Sequence, residues 1–453
     1  MNKRASLITI VVLLLAAMLL VACAPQAPQQ PAEKATQAPA EKATEAPANE
    51  PVVIKVLAMQ QAGYTPDEMN EIAERFTKEH PNIKVEVSYL SYDELYDKLV
   101  TSMAGSKPPY DIFLVDDIWY AQFSSAGWLL DITDRVDAET KAGIFDAAWD
   151  ITTVDGKIWG MPWMLDQEMF YYNTEMLKKA GYDAPPKTWE ELEEMGMKMK
   201  EMGIVEYPII WSWAQAEASI CDFVALLYGN GGVFFDENNE PAFNNERGVQ
   251  TLTWMKDSID EGLSNPSSLA SVEEDVRSVF SQGKAAFAVN WSYMYELAQF
   301  NKEESQITGQ VGLALMPVFE QGKKEGVVSS TIDGSMGFSI ATKSEHPDEA
   351  WEYLKFLTSE PIQMEFSAHL PPAWKTAYEG DNLQKLLSEN ESNKVLVPVF
   401  SEQFKYSYVR PKVTYYTDAS TTLQLALQEA LNGSKTPEKA LNNAADAIKK
   451  MAQ

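Results

Sequence analysis

Cysteine and histidine are almost missing from this 453-residue sequence, which holds two of the first and three of the second. A disulfide framework is thereby excluded: Cys23 and Cys221 allow one bridge at most, and Cys23 is expected to carry a lipid instead. His80, His346 and His369 are too scattered to gather on one zinc ion, so no metal is expected. No G-x-x-x-x-G-K phosphate loop occurs, and no cofactor is expected. Positive charge is also scarce, with 37 Lys and Arg against 66 Asp and Glu. The net charge of −29, which becomes −29 − 2 = −31 without Lys3 and Arg4, and the absence of a basic stripe exclude nucleic acid as a natural partner. Beyond the first 22 residues no run of 18 apolar residues occurs, so no later membrane-spanning helix is expected.

What the N-terminus does contain is Lys3 and Arg4, an apolar run over 7–21, and the tetrapeptide LVAC that ends at Cys23. Two cations, a short apolar run and a small residue before cysteine form the pattern of an export signal with a lipoprotein cleavage site. The expectation is a signal peptide over 1–22 and lipidation at Cys23, which would hold the chain to the extracytoplasmic face of a cell membrane. An uncleaved anchor is the alternative. Apart from Asn49, residues 24–50 are Ala, Pro, Gln, Glu, Lys and Thr, with the tandem PAEKATQA and PAEKATEA. Lacking aromatic side chains and nearly all large aliphatic ones, this stretch cannot bury enough surface to fold, and 23–50 is read as a lipidated, disordered linker.

About 400 residues remain, too many for one ordinary core and enough for two lobes. The β-branched run at 52–57, the capped helix expected over 67–79, a strand at 83–89, a helix at 92–103 and a strand at 110–115 alternate as β-α-β-α-β. That order predicts a mostly parallel sheet covered on both faces. Thr65-Pro66 supplies the helix start, and Met69, Ile72, Ala73 and Phe76 its buried face. A helix-rich stretch is expected over 171–202, 218–228, 245–261 and 273–282, with strands at 207–211, 285–290, 311–316 and 336–341. Cys221 falls on what reads as a buried helix face and is expected to be a packed, inert thiol. The run 236–240 looks like a calcium loop, but Pro241 stands where glycine is needed, so a hairpin turn is expected.

Several stretches resemble the extracellular solute-binding protein family 1, which includes maltose and trehalose receptors. They are RFTKEHPNIKVEV (75–87), YDIFLVD (110–116) with AGWLL (126–130), DGKIWGMP (155–162), YYN (171–173), PPKTWEE (185–191), FSQGKAA (280–286), AWEYLKFL (350–357) and KTPEKAL (435–441). They occur in the family's order and span nearly the whole body. The resemblance implies an α/β protein with the two-lobed, type II periplasmic-binding-protein-like fold, each lobe an α/β sandwich, and a hinge that closes over a solute. It places the crossings near 162–166, 311–317 and 370–374, with one lobe formed by 51–162 plus 313–369 and the other by 163–312 plus 370–453. It also implies a binding protein rather than an enzyme, a monomer that delivers a sugar to the permease of an ABC importer.

In such sheets the ligand lies beyond the carboxyl ends of the strands. Sugar recognition needs carboxylates and amides at ring edges and aromatic plates on ring faces. Gln60 and Gln61 end the first strand, and Asp116 and Asp117 the third, where helix capping is their other reading. Trp211 and Trp213 end an apolar strand, two apart and therefore on one side of it. By resemblance Trp119, Trp163, Asp166 and Trp291 are added. TIDGSMG (331–337) stands where relatives carry a Gly-Gly-Trp loop; its aromatic is missing, which leaves Asp333 and Gly334. Arg410 could fork onto adjacent hydroxyls or form a salt bridge. Trp128, Trp149, Trp254 and Trp351 lie in helical or amphipathic patterns and are assigned to the core. Three other functions stay open at this point: a secreted carbohydrate-active enzyme using paired carboxylates, a receptor for a non-sugar solute, and a surface scaffold.

Overall fold

The computed structural model describes residues 51–60 and 63–453. The expected signal peptide, Cys23, the linker and Gln61 lie outside the described residues. Strand β1 (Val52–Met59) leads to helix α1 (Pro66–Glu79), whose start is fixed by a reciprocal capping box between Thr65 and Glu68. Met69, Ile72, Ala73 and Phe76 are its buried face, the 3.6-residue spacing expected from the sequence. Strand β2 (Ile83–Leu90), helix α2 (Tyr92–Met103) and strand β3 (Ile112–Asp116) repeat the unit. Helix α3 (Asp146–Thr152) and strand β4 (Met161–Met164) complete the first passage through this lobe.

The chain then enters a second sheet. Strand β5 (Glu168–Asn173) is followed by α4 (Trp189–Glu201), β6 (Ile209–Ile210), α5 (Glu217–Gly229), α6 (Glu246–Asp260), α7 (Glu273–Ser281), β7 (Phe287–Trp291), β8 (Val311–Ala314) and the short β9 (Thr331–Ile332). Strand β10 (Met336–Ile340) returns to the first sheet and is covered by α8 (Pro347–Leu357). The end of the chain supplies β11 (Ser407–Tyr408), α9 (Tyr416–Leu431) and α10 (Pro437–Met451), the last two packed on α6, with α9 also against α5.

Among the described residues the first sheet has the order β2-β1-β3-β10-β4 and the second β8-β5-β7-β6. The first is parallel over β2-β1-β3 and antiparallel beyond, so the expected parallel sheet is a mixed one. Pairing also moves the expected boundaries. Met161–Met164 pairs with β10, which keeps Trp163 and Met164 in the first sheet. Val311–Ala314 is antiparallel to β5, so the chain returns to the first lobe at 333–336 rather than at 311–317. Trp374, expected at the last crossing, bridges Ile144 of the first lobe; the chain reaches the second lobe through Asn393–Gln403, where the Phe400 carbonyl accepts Gln167 Nε2. The stretch 171–202 begins as strand, because Tyr171, Tyr172 and Asn173 close β5 before Asn173 caps the next helix.

The outward and return crossings lie side by side. Gln167 bridges Asp333, Gly334 N–H donates to the Asp166 carbonyl at 3.0 Å, and Asp166 N–H donates to Ser335 Oγ at 3.1 Å. Asp333 N–H donates to the Tyr408 carbonyl, which sets β11 against the same hinge. Phe235 and Pro241 pair across the 236–240 turn, with Asn239 at φ 57°, the expected hairpin. Among the described residues no helix is long and apolar enough to cross a membrane.

Candidate ligand-binding site

One cavity opens at the hinge, a concave place of the kind in which small molecules bind. Strand ends and helix starts of both lobes build it. From the first lobe come Met59 at the end of β1, Tyr92 at the start of α2 and Asp116 at the end of β3. The crossings give Met164, Asp166, Gly334 and Met336. From the second lobe come Glu217 and Cys221 of α5, Glu273 and Glu274 opening α7, Trp291 closing β7, and Arg410 just past β11.

Asp166 is buried on the floor, where its Oδ1 accepts the backbone N–H groups of Gln167 (2.8 Å) and Ser292 (3.1 Å). Burial outweighs those bonds and pushes its carboxyl up to about 7. Asp333, behind it, is pushed by burial to about 6 although its Oδ1 accepts Ser335 N–H at 2.8 Å. Trp291 is half-buried, and Nε1 points at Glu273 Oε1 at 3.5 Å. Gly334 lies flat against the ring: a Cβ at that position would stand 2.4 and 2.6 Å from two of its atoms. The glycine therefore backs one part of the aromatic plate and leaves the rest to the cavity.

Arg410 is the electrostatic centre. With 3 % of its surface exposed, it donates from Nη2 to Asp116 Oδ1 (3.1 Å) and Asp117 Oδ1 (2.5 Å) and from Nη1 to Glu217 Oε1 (3.0 Å). Tyr92 donates to the other oxygen of Asp116 at 2.6 Å, while Tyr416 and Ser420 hold Glu217. Arg410 stays charged among these acids; burial and the neighbouring Asp116 push the Asp117 carboxyl up, against the pull of Arg410. Below the floor, Glu168 and Asp222 are also buried, and burial raises both carboxyls, with Glu273 reinforcing the effect.

Asp116, Asp166, Trp291, Gly334 and Arg410 are thus brought together on one cavity. Asp117 and Asp333 stand behind its wall. The salt-bridge reading of Arg410 is the one realised: its two terminal nitrogens are engaged by carboxylates, and its buried Nε has no partner. Gln60 is exposed and does not line the cavity.

Four aromatic candidates are corrected. Trp119 stacks within the first-lobe core against Tyr92, Tyr96 and Phe123. Trp163 is wedged between Tyr64 and Phe338. Trp211 and Trp213 do project to one side of their strand, stacked with centroids 5.0 Å apart, but that side is the lobe interior, where Trp189 and Trp254 pack on Trp211. Glu217, Glu273 and Glu274 were missed. Each sits in the first turn of a helix, where an acid favours the helix dipole, so nothing in the sequence separates their cavity role from ordinary helix-start chemistry. Cys221 is buried as expected, 3.9 Å from Arg410 Nη1, and burial raises its thiol.

The bacterial extracellular solute-binding protein family matches residues 62–364. A probable ABC transporter-binding protein of Deinococcus radiodurans is 27% identical over 404 residues, covering 86% of this chain and 91% of the relative. The maltose-bound MalE3 of T. maritima superposes with a TM-score of 0.80 at 28% identity, covering 88% of this chain and 100% of that one. A solute-binding protein from Thermotoga lettingae bound to α-D-tagatose gives 0.78 at 24% identity over 89% of this chain and 100% of its own.

Proposed function

The chain belongs to the bacterial extracellular solute-binding protein family, and on that premise we propose that it captures a neutral mono- or oligosaccharide in the cavity between its lobes. It serves an ABC importer as the solute-binding component. The observation that carries the sugar reading is the pairing, in one cavity, of a glycine-backed Trp291 with the carboxylates Asp116, Asp166 and Glu273. An aromatic plate takes the C–H face of a pyranose ring, and carboxylates accept from hydroxyls at its edge. The maltose held by the T. maritima relative supports the same class.

Delivery then requires a permease that recognises the loaded receptor. The N-terminal pattern LVAC supports a Cys23 lipid anchor that keeps the receptor beside that permease on the extracytoplasmic face. Calorimetry and thermal melts with a panel of mono- and oligosaccharides test the sugar assignment. The expected result is a rise in melting temperature with at least one saccharide, recovered intact. Cleaved products would favour the carbohydrate-active enzyme, and no shift with any saccharide would defeat the sugar reading.

A further inference from the structure

The segment after β11 links the lobes with two cations in a way that the binding of a solute does not explain. Tyr408 anchors it to the second lobe: it pairs with Ile332 of β9 and stacks on Tyr228 of α5, ring centroids 3.6 Å apart. Two residues later Arg410 reaches Asp116 and Asp117 at the end of β3, in the first lobe. Two further on, Lys412 donates to the carbonyls of Asp150 and Thr153, at the C-terminal end of α3 in the first lobe, where a helix favours a cation. Arg410 and Lys412 flank Pro411, so one short segment sends both cations across.

The arginine leaves little for a ligand. Nη2 serves two aspartates, Nη1 serves Glu217 and faces Cys221, and Nε is buried. Glu217 is itself held by Tyr416 and Ser420 of the second lobe, so the guanidinium is aimed from its own side and received on the other.

We propose that Arg410 is a positioning residue, an inter-lobe clasp that with Lys412 holds the cleft in its closed geometry before any solute enters. A buried ion cluster of this kind adds little net stability, because desolvation offsets attraction, but its bond directions select one arrangement of the lobes. Closing then depends less on the solute, and apparent affinity rises in proportion to the closed fraction already present.

Small-angle X-ray scattering of the full chain without ligand, with maltose affinity measured alongside, tests this. The scattering readout does not depend on which solute binds, so its failure is distinct from failure of the sugar reading. Arg410→Gln is expected to enlarge the ligand-free radius of gyration, with Arg410→Lys between it and the parent. If the closed fraction falls about tenfold, the dissociation constant for maltose rises about tenfold. Asp117→Ala and Lys412→Met, neither lining the cavity, are expected to shift the scattering in the same direction, the second by less. These two decide the matter should Arg410→Gln fail to fold. Ligand-free scattering curves of Arg410→Gln and Asp117→Ala that superpose on the parent would overturn the clasp, including the case where Arg410→Gln weakens maltose binding alone.

Discussion

Two aromatic regions of the second lobe invite comparison: the tryptophan block of Trp189, Trp211, Trp213 and Trp254, and the cavity wall around Trp291. Both lie at or beside strand ends, and both are next to carboxyl groups. In the block the rings face one another, and Trp211 Nε1 is satisfied by Ser264 Oγ at 3.0 Å. At the cavity a single ring is backed by glycine and edged by Glu273. The difference teaches that a tryptophan at a strand end becomes a platform when small residues stand behind it and acids in front. Where other large rings surround it, it becomes core.

The largest expected effect separates the two regions. Trp211→Ala leaves a cavity inside the block and should lower folding stability by ~3–5 kcal/mol, read as a drop in urea midpoint. Saccharide affinity of the folded protein should change little. Affinity lost in step with stability would join the two regions that the structure keeps apart.

The cavity floor makes the opposite trade, holding groups that weaken the fold. Asp166 has a folded-state value of about 7, raised by burial from 3.8, so the folded chain binds its proton more tightly than the unfolded chain does. Its contribution is therefore fully present below about pH 3.8 and is lost as pH rises through about 7, with a ceiling of roughly 4 kcal/mol. Asp333, at about 6, adds a smaller slope of the same sign. Asp166→Asn should flatten the decline between pH 4 and 8 and leave the variant more stable than the parent at pH 8. Equal slopes in urea melts of parent and variant would show that this carboxyl is not buried at cost.

Trp291→Ala should do to binding what Trp211→Ala does to folding. A loss of roughly 1–3 kcal/mol in saccharide affinity is expected from the ring's stacking area, with the urea midpoint nearly unchanged because the ring is already half exposed. Calorimetry with the best saccharide of the panel checks it, and unchanged affinity would remove Trp291 from the site.

The sequence made the first sheet's early strands and helices legible because period and caps agree there, as in Thr65 through Phe76. It did not show the antiparallel place of Met336–Ile340 between β3 and β4, since strand order depends on contacts across more than a hundred residues. Asp116, Asp166 and Trp291 were readable as cavity residues because they lie at a strand end or at positions where the resemblance places ligand contacts. Trp211 and Trp213 misled for a physical reason: alternation tells that two side chains share a face, not whether that face meets solvent or Trp189. Lys412 carried one faint signal, its place beside Arg410 across Pro411, which has meaning only once the segment is known to pass between the lobes.

The smallest effect is the sharpest test of the platform idea. In Gly334→Ala the new methyl would stand 2.4 Å from the Trp291 ring, closer than any carbon contact, so something must shift. The ring borders open cavity and can tilt, whereas Gly334 is tied by its N–H to Asp166. The fold should therefore survive, and affinity should fall by about 1 kcal/mol, roughly fivefold. Because the methyl acts through the ring, the same substitution made on top of Trp291→Ala should cost almost nothing, and the double-mutant cycle should show a coupling close to the whole single effect. Additive losses would mean that Gly334 shapes the cavity independently and that the ring owes its pose to Glu273 instead.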